Sequence, residues 1–203
     1  CNNHLPQDSW YENEFSFIQG LDLKNRIITE FKAIRFAYKL YEGIEATNEN
    51  LLFEVRNQIL AYASIYEAVI ENVLNSYYSD TVEFDSLMHH IIPMKISIPQ
   101  SKQDILQNVL SHDGKVIVPF YYTRKRKEKP QVRFDEKCRT AEGLGLIHKF
   151  INDDGVEIDL PSEIIEIYSY RNGIHIIAEQ RKGINYELDL SKKAYRRMRP
   201  GVS

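Results

Sequence analysis

The sequence predicts a mainly α-helical protein built around an antiparallel helical hairpin. Two long segments have apolar residues at spacings of three and four, which is the pattern of amphipathic helices. In residues 22–42 this stripe consists of Leu23, Ile27, Phe31, Ile34, Tyr38 and Tyr41. In the next segment it consists of Leu52, Val55, Ile59, Tyr62, Tyr66, Ile70, Val73 and Tyr77. Because only a few residues separate the segments, we expect them to pack side by side in opposite directions.

Residue types at the ends of these segments predict where the two helices stop and start. Gly43 suits the position after the first helix, where the backbone often turns left-handed. Asn48 is a candidate N-cap for the second helix, which we expect to end near Tyr78. A helix of that length measures roughly 45 Å, because each residue adds about 1.5 Å.

Residues 79–133 interrupt the helical pattern. A short helix is expected from Ser101 to Leu110, with Ser101 as its cap. Residues 116–122 are β-branched and aromatic, which predicts a strand, and Pro119 would confine that strand to a sheet edge. A basic, solvated loop is expected over residues 124–130. We interpret this region as a small β-containing insertion in a single helical domain that spans residues 1–203.

Helical signals return in the last third of the chain. A helix is expected over residues 134–146, followed by a loop at 152–155. Pro161 suits the first turn of another strong helix, which we expect to continue to Ile177. A short basic helix should then begin at Asp189 or Ser191.

Size, charge and cysteine content narrow the class of protein. The chain has 203 residues, 43% of them hydrophobic, which suffices for a substantial core. Residues 1–113 contain 8 Lys and Arg against 16 Asp and Glu, whereas residues 114–203 contain 18 against 13. A basic half suits binding to a polyanion, although such an asymmetry also arises by chance. No apolar run approaches the roughly 18 residues of a membrane span, and Cys1 and Cys138 cannot form a disulfide framework, so we expect a cytoplasmic protein.

Arg171 and His175 form the clearest candidate for chemistry. Residues four apart on a helix share one face, with Cβ atoms about 5–6 Å apart. Arginine remains charged, and histidine exchanges a proton near neutral pH. Together they supply a proton-transfer group and a cation for charge on phosphate, which cleavage of RNA requires. Alternatively, the pair caps the helix, forms salt bridges with Glu166 or Glu179, or lies in solvent.

Several segments resemble a known family. Small and aromatic residues occupy the middle of the second long helix (Ala61–Ala68), and later segments include Phe134–Lys137, Leu144–Ile147 and Ile164–His175. This combination resembles the HEPN superfamily of prokaryotic helical proteins, in particular its RiboL-PSP-HEPN and Abi-like branches. The resemblance covers about residues 22–78 and 134–199. It implies a HEPN-like antiparallel helical bundle.

The resemblance also implies a function and a site. Family members are typically dimeric, metal-independent endoribonucleases that act as toxins or in phage defence. Their motif is an arginine, often a polar neighbour, and a histidine after four to six intervening residues. Here Arg171, Asn172 and His175 would be the catalytic residues, with three residues between Arg171 and His175. The implied partners are RNA, a second copy of the chain and a cognate antitoxin protein, without a cofactor or a membrane.

The shorter spacing keeps two other interpretations open. Some family members retain the fold and lose the activity, so the chain could be a non-catalytic HEPN-like RNA-binding or protein-interaction module. A plain helical scaffold that uses the tyrosine-rich hairpin as a contact surface is the third interpretation.

Two basic segments are candidate nucleic-acid-binding sites. Tyr121, Tyr122 and Phe134 flank the first segment, and aromatic rings among positive charges suit stacking and phosphate contact with single-stranded RNA. Its cations are Arg124, Lys125, Arg126, Lys127 and Lys129. The second segment is the tail, with Lys192, Lys193, Arg196 and Arg197. For the first segment an ordinary solvated loop after an edge strand is the favoured interpretation, and the tail leaves the same alternatives open. We expect no metal site, because adjacent His89 and His90 cannot easily face one ion.

Overall fold

The computed structural model describes residues 5–110, 113–128, 131–172 and 187–198. These residues form a mainly helical protein with small antiparallel strand pairs, which confirms the predicted fold class. The helices are α1 (Asp8–Glu14), α2 (Leu21–Gly43), α3 (Asn48–Tyr77), α4 (Val82–Leu87), α5 (Gln100–Val109), α6 (Phe134–Gly143), α7 (Leu160–Arg171) and α8 (Leu188–Met198). The strands are β1 (His89–Lys95), β2 (Phe120–Arg126), β3 (Lys149–Ile151) and β4 (Glu157–Asp159). No described helix has both the length and the hydropathy to cross a bilayer.

Helices α2 and α3 form the predicted antiparallel hairpin. Gln19, two residues before α2, is attached to the C-terminal part of α3. The Gln19 N–H donates to Asn72 Oδ1 and the Asn72 amide donates back to the Gln19 carbonyl, both at 2.9 Å. Near the middle of the two helices, the rings of Phe31 and Tyr62 lie 6.4 Å apart. The apolar stripes predicted from the sequence therefore face each other.

The connection between these helices differs in detail from the prediction. Gly43 is the last residue of α2, because Ile44 N–H still bonds to the Leu40 carbonyl at 3.0 Å. The left-handed turn therefore falls at Glu45, whose φ is 52°. Asn48 begins α3 and Thr47 is the N-cap, so the proposed capping role of Asn48 is wrong. Similarly, α5 begins at Gln100 after Pro99, and Ser101 is not its cap.

Helix α3 is the centre of the molecule. It packs against α2, α6, α7 and α8, and its residues Val55 and Ile59 are fully buried. The Tyr66 hydroxyl donates to the Ala194 carbonyl, and the Ser191 hydroxyl donates to Gln58, so two buried hydrogen bonds attach α8 to α3. The sequence did not predict α1, which covers Phe31 of α2 with an aromatic cluster.

The insertion begins with a helix that belongs to the core. In α4, Phe84 and Leu87 are buried, and the Thr81 hydroxyl caps the helix by accepting the Phe84 N–H at 3.2 Å. Strands β1 and β2 follow as an antiparallel pair in which His89 is opposite Arg126 and Lys95 is opposite Phe120. We call this pair the β1–β2 ribbon.

The strand predicted over residues 116–122 is displaced toward the C-terminus. Residues 120–126 form the strand, so part of the predicted basic loop is in fact β2. Pairing with β1 sets these limits, because Ile96 N–H bonds to the Pro119 carbonyl at one end and Lys127 N–H bonds to the Met88 carbonyl at the other. Ile117 lies outside the sheet, since its backbone is satisfied by the Gln103 and Gln107 side chains.

The remaining elements complete the bundle. Helix α6 begins at Phe134 as predicted but ends at Gly143, three residues before the predicted end. The predicted loop at residues 152–155 is the turn between β3 and β4. Helix α8 begins close to the predicted start, at Leu188. Helix α7 ends at Arg171 and Asn172 lies in a turn, so the prediction of one uninterrupted helix to Ile177 is wrong.

Candidate functional site

Helix α7 positions the candidate arginine, and its start is fixed by Asp159. The Asp159 carboxylate accepts the Ser162 N–H at 3.0 Å, and Pro161 occupies the first turn. Hydrogen bonds from Lys149 and then from Ser162 lower the pKa of Asp159 to about 2. A charged cap at this end also interacts favourably with the helix dipole.

The buried stripe of α7 directs Arg171 toward α3. Leu160, Ile164 and Ile167 are buried at spacings of three and four, and Arg171 is the next position on that face. The Arg171 guanidinium therefore reaches Glu67 of α3, with Arg171 Nη1 at 2.6 Å from Glu67 Oε2. The same Nη1 donates to the Tyr168 hydroxyl at 3.3 Å.

Tyr168 connects this arginine to α6. Its ring stacks on Phe134 with the ring centroids 3.9 Å apart, and its hydroxyl donates to Glu67 Oε1 at 3.2 Å. The Arg171 guanidinium lies 5.5 Å from the centre of the Tyr168 ring. Burial, together with the negative charge of Glu67, raises the pKa of Tyr168, so the phenol keeps its proton and acts as a donor. We call Glu67, Tyr168 and Arg171 the Arg171 cluster.

The Arg171 cluster is open to solvent. The Arg171 side chain is 36% exposed and that of Glu67 is 33% exposed. No residue of the described chain accepts a hydrogen bond from Arg171 Nε or Nη2, because both hydrogen bonds of the guanidinium are made by Nη1. These donors lie in one plane, which is the arrangement that binds a phosphate or carboxylate with two parallel hydrogen bonds.

A second ion pair lies one helical turn further along α3. Glu71 is four residues after Glu67 and so shares its face, and Glu71 Oε2 lies 2.7 Å from Lys137 Nζ of α6. Lys137 is buried and its partner neutralises it. Arg171 and Lys137 are each ion-paired with one carboxylate of this face of α3. The surroundings of Arg171 are therefore polar but not strongly basic.

The three predicted catalytic residues have different outcomes. Arg171 lies in the cluster just described, and Asn172 follows it as the helix C-cap, with its N–H bonded to the Ser169 carbonyl at 3.2 Å. His175 lies outside the described residues, as does Glu179. The proximity of Arg171 and His175 therefore stays a prediction, and it no longer follows from a shared helix face, because α7 ends at Arg171.

Sequence reasoning missed Glu67 as the partner of Arg171. Glu166, the partner considered from the sequence, instead accepts the Tyr170 hydroxyl at 2.7 Å and binds Lys193 at 3.1 Å. The hydrogen bond from Tyr170, followed by that from Lys193, lowers the pKa of Glu166. One available signal was that Glu67 is the sole acidic residue in the segment Ala61–Ala68.

Comparison with known protein families, with curated proteins and with solved structures finds no match for this chain. Among the residues that the structure describes, no group of three His, Cys, Asp or Glu side chains is arranged to bind a metal ion. His89 Nδ1 is instead 2.7 Å from the Asp85 carbonyl.

The predicted basic loop separates into paired and unpaired cations. Arg124 is ion-paired with Asp85, and Lys127 Nζ lies 2.7 Å from Glu136 Oε1. Lys125 and Arg126 are exposed and have no ionic partner in the described part of the chain. Lys129 lies outside the described residues.

The basic tail is largely engaged with α7. Lys193 and Arg197 are ion-paired with carboxylates of α7, Lys193 at 3.1 Å from Glu166 and 3.6 Å from Glu163, and Arg197 with Glu163. Lys192 lies 3.7 Å from Asp189 of its own helix. Arg196 is exposed, without an ionic partner within the described ranges. Two of the four tail cations, Lys193 and Arg197, therefore attach α8 to α7.

Proposed function

We propose that this protein is a metal-independent endoribonuclease of the HEPN type, acting as a toxin or in phage defence. The observation that carries the proposal is the orientation of Arg171. Glu67 and Tyr168 hold its guanidinium at Nη1, and no residue in the described ranges accepts from Nε or Nη2, which we assign to an incoming phosphate. An arginine held in this way stabilises charge in a transition state without having to reorganise first.

In the proposed reaction, the 2′-hydroxyl of RNA attacks the adjacent phosphorus. His175 accepts the proton of that hydroxyl, the 2′-oxygen–phosphorus bond forms and the bond from phosphorus to the 5′-oxygen breaks. Arg171 binds the non-bridging oxygens as charge accumulates on them. The histidine of a second copy gives a proton to the leaving 5′-oxygen across a two-fold dimer cleft. The products are a 2′,3′-cyclic phosphate and a 5′-hydroxyl.

Incubation of total RNA with the protein in EDTA tests this proposal. We expect cleavage by the wild type, and a loss of rate on the order of 10²–10³-fold in Arg171→Ala, as for removal of one transition-state donor. His175→Ala should be equally impaired. Arg139→Ala is the matched control, because Arg139 is an exposed arginine of α6 paired only with Glu142 in the described chain.

Two results would contradict the proposal. One is a purified wild-type protein that leaves RNA intact at every pH tested between about 5 and 9, the range around the ordinary histidine pKa. The other is cleavage that Arg171→Ala and His175→Ala perform at the wild-type rate, which would indicate a contaminating nuclease.

A non-catalytic RNA-binding module is the second candidate, and the β1–β2 ribbon favours it. Tyr122 is 73% exposed and Phe120 is 52% exposed. Alternate residues of a strand share a face about 6.8 Å apart, so these rings lie in a row with Arg124 and Arg126. Exposed rings beside cations suit stacking with bases and contact with phosphates.

The same incubations distinguish the two candidates when binding is measured beside cleavage. RNA binding that weakens with salt, without any cleavage, supports the module. Binding and cleavage together support the nuclease. A protein that neither binds nor cuts RNA supports the helical scaffold.

A further inference from the structure

A cavity of about 360 Å³ lies between the helices of the bundle. None of the three residues of the Arg171 cluster lines it. Residues of α1, α2, α3, α7 and α8 line it, together with α6 and the chain that follows α6. Its apolar lining residues are Phe15, Phe17, Phe31, Val69, Ile70, Val73, Ala141, Leu146, Ile147, Leu160, Ile164 and Met198.

This volume is far larger than the voids of ordinary protein interiors. Packed cores contain few gaps larger than a water molecule. An apolar cavity of about 150 Å³ in another protein is known to bind benzene, so the present cavity has room for a two-ring molecule or a medium-length alkyl chain. Its size falls within the range of about 300–1,000 Å³ that is typical of ligand sites.

The polar groups of the lining indicate a ligand without net charge. Arg197 is ion-paired with Glu163. Lys193 Nζ also lies 3.6 Å from Oε1 of the same carboxylate. The Tyr66 hydroxyl is engaged with the Ala194 carbonyl. Glu14 is the carboxylate among the described lining residues, and a carboxylate offers no donor to an anionic ligand. The described part of the lining thus offers no unbalanced cation to a carboxylate or a phosphate.

The mouth of the cavity is held in place by hydrogen bonds. Phe17, at the rim, is half exposed, and its carbonyl accepts from the Tyr77 hydroxyl at 2.7 Å. Two residues later, Gln19 is joined to Asn72 by two hydrogen bonds of 2.9 Å. The connection between α1 and α2 is thereby attached to α3, which makes the opening a pre-formed feature, as is usual for ligand sites.

We propose that this cavity is a binding site for a neutral, largely apolar small molecule of about one to two rings. The inference is independent of the RNA-cleaving proposal, because the lining includes none of the three residues of the Arg171 cluster. It adds a small-molecule site that contacts the first half of α7 through Leu160 and Ile164, whereas Arg171 is the last residue of that helix.

Titration of the full chain with N-phenyl-1-naphthylamine, a neutral two-ring fluorophore, tests this site. We expect a saturable rise in fluorescence with one molecule bound per chain. The anionic probe 1-anilinonaphthalene-8-sulfonate should bind at least tenfold more weakly. Val73→Trp should weaken binding of the neutral probe at least tenfold by filling the cavity, whereas Val82→Trp, an identical change at an exposed residue of α4, should leave it unchanged.

Three outcomes would overturn the proposal. They are the absence of saturable binding, equal binding of the anionic probe, and wild-type affinity in a folded Val73→Trp protein. If circular dichroism shows that Val73→Trp is unfolded, Ile147→Phe replaces it, because Ile147 lines the same cavity and is only half-buried. The same tenfold loss is then required of Ile147→Phe.

Discussion

The helical bundle around α3 and the β1–β2 ribbon use charge in opposite ways. In the bundle, Arg171, Lys137 and Arg197 are each ion-paired with a glutamate of a neighbouring helix. In the ribbon, Lys125 and Arg126 are exposed and have no such partner in the described chain. These paired charges of the bundle therefore orient helices and side chains, while Lys125 and Arg126 of the ribbon are available to an external polyanion.

The two regions also differ in how far their apolar residues are exposed. Phe31 and Ile59 are buried in the bundle, whereas Phe120 and Tyr122 of the ribbon are largely exposed. An isolated two-stranded ribbon is at best marginally stable in water, so this one depends on α4, the element that joins it to the core. Because the exposed rings contribute little to the free energy of folding, we propose that their role is in binding.

Matched Phe→Ala changes should reveal the largest difference between the regions. Phe31→Ala removes a buried ring and should lower the free energy of unfolding by about 3–5 kcal/mol. Phe120→Ala should change it by less than about 0.5 kcal/mol, as is usual for an exposed position. Urea denaturation followed by circular dichroism measures both, and a similar loss in the two variants would contradict the comparison.

Neutralising charges should separate the regions in RNA binding. If the ribbon binds single-stranded RNA, replacing Lys125 and Arg126 by alanine removes two phosphate contacts, and the salt slope of log K should fall by about 1.4. Replacing Lys193 and Arg197 should change the slope less, because Glu163 and Glu166 already neutralise them. Filter binding over a range of salt concentrations measures the slopes. A larger change in the tail variant would reverse the assignment.

The smallest effect concerns acid stability of the bundle. The pKa of Asp159 is held at about 2 by Lys149 and Ser162, below its usual value, so its contribution is present above about pH 4 and is lost as the pH falls through about 2. Asp159→Ala should be less stable than the wild type by about 1 kcal/mol at pH 7, the usual cost of losing an N-cap.

The difference between wild type and Asp159→Ala should narrow steadily toward pH 2. Thermal unfolding from pH 7 down to pH 2 measures it. Asp154→Ala, at an exposed position in the turn between β3 and β4, is the control. Its stability should change with pH as that of the wild type does. A gap that stays constant with pH would show that the charge of Asp159 does not stabilise α7.

Local patterns in the sequence were sufficient for the long helices and for the general location of the insertion. The periodic stripes of α2 and α3 predict both helices to within one or two residues, because each stripe depends on neighbours along the chain. The position of β2 was wrong, because its limits depend on pairing with β1, some thirty residues earlier in the sequence. The helix ends near Gly43 and Asn48 were wrong for a similar reason, since the turn was moved by backbone hydrogen bonds that no single residue type reveals.

In the candidate site, too, some features follow from neighbours along the chain and others only from tertiary packing. The sequence by itself determined that Arg171 lies on an amphipathic helix, but the end of that helix at Arg171 was not predicted. The buried stripe of α7 explains why Arg171 points toward α3. Only the tertiary structure decided that its partner is Glu67, because that contact joins residues 104 positions apart. It also decided that Arg171, Lys193 and Arg197 are neutralised, since folding brings the carboxylates that pair with them from other elements. Periodicity is a property of neighbours in the chain, whereas ion pairing across helices is a property of how the helices pack.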